Sequence, residues 1–165
     1  MTENTRPIIL LDLNFTLVEN SGSRFKHVKR GEFSLWIDRH ERYRRWLVEL
    51  LAGHHVILVT ARHELYRDAT LAAIASRCCG WQPDESHWNP APRKLEPHKF
   101  KEIALKQEIL PVHGLVEPGR YLALESNDLT RRMYKRHGVP SFEVPDKPGT
   151  WRALPRPDAE QTPLF

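Results

Sequence analysis

The sequence predicts an α/β fold of the Rossmann-like, three-layer type, with a mostly parallel sheet and a minimal cap or none. Ile8–Leu11 is a run of four aliphatic residues, which is typical of a strand buried on both faces. Val56–Val59 and Tyr121–Leu124 are two further apolar runs of strand length. Helical patterns separate these runs, and strands that alternate with helices indicate parallel strands covered on both sides.

The first half of the chain contains a loop, a helix, a strand and a second helix. The loop spans residues 19–31, and one helical stretch follows, with inward-facing residues spaced 4-3-4-3 along it: Trp36, His40, Tyr43, Leu47 and Leu50. Gly53 ends this stretch in the usual way. After the strand at Val56, a second helix runs from about Glu64 to Cys79.

The second half begins with a loop, residues 81–92, which is rich in Pro, Trp and Asn. A third helix starts near Pro97, because proline suits the first turn of a helix. The strand at Tyr121 leads to a fourth helix, residues 129–137, and to a short last strand, residues 141–144.

The chain length predicts one packed domain. Its 165 residues suffice for a single core, which we assign to residues 1–148. Residues 149–165 are rich in proline and predict an irregular, flexible tail. No apolar run approaches the roughly 20 residues of a membrane span. Cys78 and Cys79 are adjacent, which is poor geometry for a disulfide. The lack of a membrane-length apolar run and of a favourable disulfide pair both suit a cytoplasmic protein.

The positive charge is concentrated in one segment. The net charge is +4, and between Arg24 and Trp46 eight basic residues face three acidic ones. Such a segment can form a surface for a polyanion such as a nucleic acid. The alternative is a solvated helix face that is rich in arginine.

Asp12 is the first candidate for chemistry, because it directly follows the strand Ile8–Leu11. Open α/β sheets bind their ligands at the carboxyl ends of parallel strands. A single Asp at such a position can also simply open a turn, so the interpretation depends on the motifs that surround it.

Four motifs in order resemble those of the haloacid dehalogenase superfamily of phosphotransferases. That family begins with an apolar strand and Asp-x-Asp-x-Thr-Leu, and residues 12–17 here read Asp-Leu-Asn-Phe-Thr-Leu. Its second motif is a strand ending in Ser or Thr, matched at residues 56–62, and its third is a Lys near a helix start, matched within residues 93–99. Its fourth is a strand followed by acids, matched at residues 121–128.

The resemblance implies a phosphatase that forms an aspartyl-phosphate on Asp12. It implies Mg²⁺ held by Asp12, by the backbone carbonyl of Asn14, and by Glu125 or Asp128, since hard cations prefer oxygen ligands. Thr60 would bind phosphate oxygens, and a lysine would neutralise the charge, with Lys99 preferred over Lys94. Lys101 and Lys106 are expected to be solvated.

Within the superfamily, the chain is most similar to the 3′-phosphatase domain of polynucleotide kinase–phosphatase. That resemblance implies that Arg24 and Arg62 bind substrate phosphate, with Thr16 and Ala61 in the same site. The sequence contains no Gly-x-x-x-x-Gly-Lys loop, so we expect no kinase half within it. The loop of residues 19–31 between the first motif and the next helix is too short for a folded cap, which favours a terminal phosphate of DNA or RNA. A mononucleotide is the alternative substrate.

The main departure from the family is Asn14, which stands where the second Asp protonates the leaving group. An amide cannot transfer that proton, and acid–base catalysis is typically worth about 10²–10⁴ in rate. Three explanations stay open: a slow phosphatase, an acid recruited from His27 or Glu19, or a module that binds phosphate ends without turnover. We favour an enzyme.

The last five residues resemble the short Gln-x-x-Leu-Phe peptide of proteins that dock on the bacterial sliding clamp. Gln161, Leu164 and Phe165 match, whereas Thr162 replaces the usual Leu. A terminus after several prolines could present this peptide to an apolar pocket. The alternatives are that the Leu-Phe pair packs on the protein itself, or that the match is accidental.

Overall fold

Five parallel strands form the sheet in the part of the chain that the structure describes. The computed structural model describes residues 6–23, 32–90, 95–149, 151 and 154. The strands are, in chain order, β1 Ile8–Leu11, β2 Val56–His63, β3 Glu85–Asn89, β4 Tyr121–Leu124 and β5 Ser141–Phe142. Their order across the sheet is β3-β2-β1-β4-β5, which confirms the predicted Rossmann-like α/β arrangement.

Six α-helical segments cover this sheet within the described residues: α1 Phe33–His40, α2 Arg45–Leu50, α3 Arg67–Arg77, α4 Pro97–Ala104, α5 Leu110–His113 and α6 Asp128–Arg136. Short 3₁₀ turns lie at Ser21–Ser23 and Glu64–Tyr66, and a π-helical turn, Leu105–Ile109, joins α4 to α5. Proline opens α4 as predicted, and the side chain of Asn127 caps α6 by accepting the Thr130 N–H at 3.0 Å.

Helices cover both faces of the sheet, and successive β1 residues point to opposite faces, so they enter two different cores. Ile9 and Leu11 belong to one core, which α1, α2 and α3 complete with residues such as Ile37, Leu47 and Ile74. Leu10 belongs to the other core, to which α4 and α6 contribute Phe100, Ala104, Met133 and Tyr134. The apolar runs that predicted the strands therefore supply the middle layer of a three-layer sandwich.

The chain changes direction across the sheet at β1, beside the carboxyl end of β4. From β1 the chain proceeds to β2 and β3, and it then returns to β4 on the other side of β1. The carboxyl ends of β1 and β4 are therefore neighbours, and the Asp12 N–H donates to Leu124 O at 2.9 Å. In doubly wound sheets this switch point is where ligands bind.

The predicted helix over residues 36–50 is wrong, because α1 and α2 are separate helices. Residues 41–44 between them run beside residues 17–19: Tyr43 forms an antiparallel bridge with Val18, and the Arg44 N–H donates to Leu17 O at 2.9 Å. These tertiary hydrogen bonds replace the ones that a continuous helix would make.

The predicted loop over residues 81–92 is also partly wrong, because β3 lies within it. Its sequence, Glu-Ser-His-Trp-Asn, contains no β-branched residue, and Trp88 is its one residue of a type enriched in strands. The strand forms at the sheet edge because β2 supplies the pairing, with Leu58 opposite Ser86 and Thr60 opposite Trp88.

The domain boundary at residue 148 stays a prediction. Two described residues beyond it touch the domain: Leu154 is buried, and the Trp151 ring lies 5.9 Å from that of Trp46. Gln161, Leu164 and Phe165 lie outside the described residues, so clamp docking also stays a prediction. Among the helices of the described ranges, none is long and apolar enough to cross a bilayer.

Candidate active site

Asp12 lies at the carboxyl end of β1, where its side chain is fixed by three donors. The residue is 7% exposed. Its Oδ2 accepts from Thr16 Oγ1 at 2.8 Å and lies 2.9 Å from Ser126 Oγ, and its Oδ1 accepts from Lys101 Nζ at 2.7 Å. The carboxylate is therefore oriented by a hydroxyl of its own loop and by groups from two other elements.

Lys101 is the lysine of the site. It is 1% exposed, and its Nζ also donates to Glu125 Oε2 at 2.6 Å, so that it joins the two carboxylates. Burial lowers the pKa of Lys101, but the charges of Asp12 and Glu125 outweigh burial and hold that pKa above its ordinary value. The expectation that Lys101 is solvated is wrong.

The preferred Lys99 does not reach this site. Its Nζ lies 3.2 Å from Glu96 Oε2, and 61% of its side chain is exposed. Residues two positions apart on a helix point about 200° away from each other, so only one of Lys99 and Lys101 can face the sheet. Lys94 lies outside the described residues.

Glu125 follows β4 and is almost completely buried. Its Oε2 binds Lys101, and its Oε1 accepts the Asn127 N–H at 2.9 Å. Burial and then the charge of Asp12 raise the pKa of Glu125 to about 7, although Lys101 and the Asn127 N–H act in the opposite direction. One ammonium thus serves two buried carboxyl groups.

The oxygen atoms around Asp12 fit a hard divalent cation. Ser126 Oγ lies 2.9 Å from Asp12 Oδ2 and 3.0 Å from the backbone oxygen of Asn14, which brings these two oxygens close to one point. The Glu125 carboxyl group, joined to Asp12 through Lys101, supplies further oxygen atoms nearby, and oxygen donors are the ligands that Mg²⁺ prefers. The surplus of carboxylate over ammonium also favours a cation.

Asp128, the alternative metal ligand, points elsewhere. Its carboxylate lies 2.9 Å from Arg132 Nε and 3.5 Å from Arg131 NH2, and 57% of its side chain is exposed. It lies in the first turn of α6, where a negative charge is favourable and side chains three and four positions ahead are within reach. Of the two acids, only Glu125 faces Asp12.

Arg62, near the end of β2, organises a second buried network beside the first. Its NH2 donates to Asn14 Oδ1 at 2.9 Å, its NH1 donates to Thr70 Oγ1 at 2.8 Å, and both nitrogens bind the carboxylate of Glu41. Tyr43 OH donates to the same carboxylate at 2.7 Å. Burial and then Glu41 raise the pKa of Tyr43, which keeps its hydroxyl protonated. Arg62 therefore fixes the orientation of the Asn14 amide.

The other residues predicted on β2 lie beside this network. Thr60 is completely buried, and its Oγ1 accepts the Arg62 N–H at 3.1 Å. Ala61 packs against the core that contains α4 and α6. Arg24 and His27 lie outside the described residues, and Glu19 pairs with Arg42 on the surface at 2.8 Å.

The basic segment has a structural component. Arg44 is 4% exposed, and its NH1 donates to the backbone oxygens of Phe15 and Thr16 at 2.9 and 2.7 Å. It therefore holds the loop that follows Asp12 and is not free to bind a polyanion. Arg42 and Arg45 are exposed.

Sequence reasoning missed three residues of the site: Glu41, Lys101 and Ser126. A signal existed for Lys101, which lies in the stripe Phe100, Ala104, Leu105 that faces the sheet. Ser126 directly follows Glu125 in the fourth motif. No sequence signal marks Glu41, because it lies among basic residues in a stretch with a helical pattern.

Comparison with known proteins finds similarity in structure only. No protein-family model matches the chain, and no curated protein matches it in sequence. A solved chain from the Pnkp1/Rnl/Hen1 RNA repair complex superposes with a TM-score of 0.59 at 16% identity. A second structure of the Pnkp1/Rnl/Hen1 complex gives 0.56 at 16% identity.

The chain spans less than half of these two solved chains: 87% of it covers 43% of the first, and 86% covers 47% of the second. The HAD domain of the effector protein Lem4 from Legionella pneumophila, solved as an inactive mutant, matches over most of both chains. The TM-score is 0.52 at 11% identity, covering 91% of this chain and 90% of that one. The chain has the haloacid dehalogenase fold. The predicted resemblance is thus confirmed at the level of the fold.

Proposed function

We propose that this chain is a Mg²⁺-dependent phosphoric monoester hydrolase with Asp12 as its nucleophile. The observation that carries the proposal is the Asp12 carboxylate at the switch point of the sheet, held by Lys101 at 2.7 Å and by the Thr16 hydroxyl at 2.8 Å. A structural Asp at a turn has no need of a buried lysine from another helix. A carboxylate oriented in this way suits attack on a phosphoryl group.

Each residue of the site has a role in this reaction. Asp12, Glu125 and the backbone oxygen of Asn14 would hold Mg²⁺, which screens the repulsion between carboxylate and phosphate. An Asp12 oxygen would attack phosphorus, and the bond to the ester oxygen would break as that oxygen takes a proton from water and leaves as an alcohol. Water would then hydrolyse the aspartyl-phosphate, which releases inorganic phosphate and regenerates the Asp12 carboxylate. Lys101 keeps positive charge beside the nucleophile through both steps. Thr16 and Ser126 restrict its rotation.

As substrates we propose the terminal phosphates of DNA or RNA, in particular 3′-phosphates. Support comes from the motif resemblance and from the shared fold with a chain of an RNA repair complex. Mononucleotides are the alternative, and the two substrate classes differ in how far they extend beyond the phosphate.

The test is phosphate release by the full chain from 3′-phosphorylated DNA and RNA oligonucleotides, from mononucleotides and from an aryl phosphate. We expect release that requires Mg²⁺ and is lost in Asp12→Asn. That variant keeps the size of the side chain, so circular dichroism should confirm an unchanged fold. Metal-independent release, or equal release by Asp12→Asn, would refute the proposal.

The second candidate is a module that binds phosphate ends without turnover, which the environment of Asn14 favours. Its amide oxygen accepts from Arg62, so the side chain is fixed in place yet has no acidic proton to give. Asn14→Asp separates the candidates. For a slow enzyme, it should raise the rate toward the roughly 10²–10⁴-fold that a positioned acid–base group contributes. A pure binder should hold oligonucleotides with no turnover in either form.

A further inference from the structure

A group of potential metal ligands lies at the edge of the sheet opposite Asp12. His55 directly precedes β2, Glu85 begins β3, and His113 ends α5. The amino-terminal ends of parallel strands lie at the same end of the sheet. Leu11 is paired with Leu58, so Asp12 stands four residues beyond His55 along the strand direction, or roughly 13 Å at about 3.3 Å per residue. The group is therefore separate from the proposed catalytic site.

The three side chains converge on one point. Glu85 Oε1 lies 2.9 Å from His55 Nε2 and 2.9 Å from His113 Nε2, and the two imidazole rings are 5.2 Å apart between centroids. One potential ligand atom from each residue lies within 4.8 Å of the others. Ligand atoms around a tetrahedral Zn²⁺ are about 3.4 Å apart at the usual bond lengths, so small side-chain rotations suffice.

The backbone on which these ligands stand is fixed. His55 O accepts the Ile9 N–H of the central strand at 2.9 Å, and Glu85 is paired with Ile57 in the sheet. After His113, Gly114 O accepts from Tyr121 OH at 2.6 Å, and its N–H donates to Leu110 O at 2.9 Å. A site built on rigid elements loses little conformational entropy when an ion binds.

We propose that His55, Glu85 and His113 form a binding site for Zn²⁺ or a similar divalent transition-metal ion. Two imidazole nitrogens with one carboxylate suit such ions, whereas Mg²⁺ and Ca²⁺ prefer oxygen alone. Each imidazole would carry its proton on Nδ1, so that the Nε2 lone pair faces the ion in place of the present contact with Glu85. Three protein ligands leave a coordination position open to water. The inference does not rest on the proposed phosphatase activity.

The surroundings allow an ion to enter. The exposed fractions of the side chains are 41% for His55, 35% for Glu85 and 15% for His113. The site is thus accessible from solvent on one side and backed by protein on the other. A bound ion would connect the end of α5 to the edge of the sheet.

The test is a titration of the chelator-treated full chain with Zn²⁺ against a chromophoric competitor, at millimolar Mg²⁺ and in an Asp12→Ala background, so that the oxygen site does not contribute. We expect one Zn²⁺ per chain. His55→Ala and His113→Ala should each weaken Zn²⁺ binding at least about tenfold. Even the loss of a residue that only hydrogen-bonds to a metal ligand typically lowers the metal affinity about tenfold or more. Co²⁺ should give a visible absorption band that both variants abolish.

His137→Ala is the matched control. His137 Nε2 lies 2.6 Å from Glu102 Oε1, so it forms a comparable His–Glu pair without a second histidine. This variant should bind Zn²⁺ as tightly as the parent. The proposal is overturned if the parent binds no stoichiometric Zn²⁺, or if the three histidine variants behave alike. If the alanine variants unfold, His55→Gln and His113→Gln provide the same comparison.

Discussion

Replacing Lys101 by methionine should destabilise the fold strongly. Methionine keeps most of the side-chain volume but removes the ammonium that lies 2.7 Å from Asp12 Oδ1 and 2.6 Å from Glu125 Oε2. Breaking a buried ion pair by removing one partner costs about 3–5 kcal/mol, because the other charge stays buried without compensation. Two carboxyl groups lose one shared cation, but Glu125, whose pKa is raised to about 7, can take up a proton, so we expect a loss within that range.

Such a loss is a large fraction of the 5–15 kcal/mol that stabilises a typical domain. Urea unfolding followed by circular dichroism at neutral pH measures it, and an unchanged slope against urea would show that stability alone has changed. Lys99→Met is the matched control, because Lys99 lies two residues away and pairs with Glu96 in solvent. It should cost less than about 1 kcal/mol. Equal effects of the two substitutions would refute the buried network.

Two further predictions concern the backbone and the pH dependence. Phe15 has φ = 62°, a left-handed conformation that costs residues with a side chain about 1–2 kcal/mol. The Phe15→Gly variant should therefore be about 1 kcal/mol more stable than Phe15→Ala in the same urea assay. Equal stabilities of the two variants would contradict a left-handed residue at this position. The hydrogen bond from His137 holds the pKa of Glu102 in the folded protein below its ordinary value of about 4.3. The ionised Glu102 side chain therefore stabilises the fold at any pH above that ordinary value. This stabilisation is lost as the pH falls through the lower pKa of the folded protein. Urea midpoints between about pH 6 and pH 3 should therefore fall less in Glu102→Gln than in the parent, and parallel curves would exclude this contribution.

The positions of Asp12 and Glu125 could be predicted from the sequence because each follows an apolar run. A run of three or four buried aliphatic residues marks a strand. Because β1 and β4 are parallel neighbours, their carboxyl ends lie side by side. The apolar runs predicted the strands, one topological rule brought their ends together, and the motif resemblance selected the acids, with Asp128 as the alternative to Glu125. The prediction therefore extended to the fold class and to both carboxylates.

The partners of these carboxylates could not be predicted in the same way. Lys101 faces the sheet only because of the exact phase of α4, and a shift of two residues would have selected Lys99. Glu41 reaches Arg62 only because residues 41–44 pair with residues 17–19 instead of continuing α1. The strand β3 depends on its neighbour β2 and not on its own residues. At Glu41 and β3 a tertiary contact overrides the local preference, whereas Lys101 was missed although the apolar stripe of its own helix indicated it.

The charges around Asp12 indicate that a divalent cation would bind at the proposed active site before a phosphate does. Arg62 and Glu41 neutralise each other, and Asn14 is uncharged, so the balance rests on two carboxyl groups and one ammonium. When both carboxyl groups are ionised, the site carries one net negative charge in a poorly hydrated place and repels a phosphate dianion. A divalent cation reverses the sign and makes the same place attractive. An aspartate at position 14 would add a further negative charge. At the proposed site, asparagine would therefore make phosphate binding less dependent on the cation, and it would also lack the proton donor. Slow turnover and binding without turnover would both follow from an asparagine at this position.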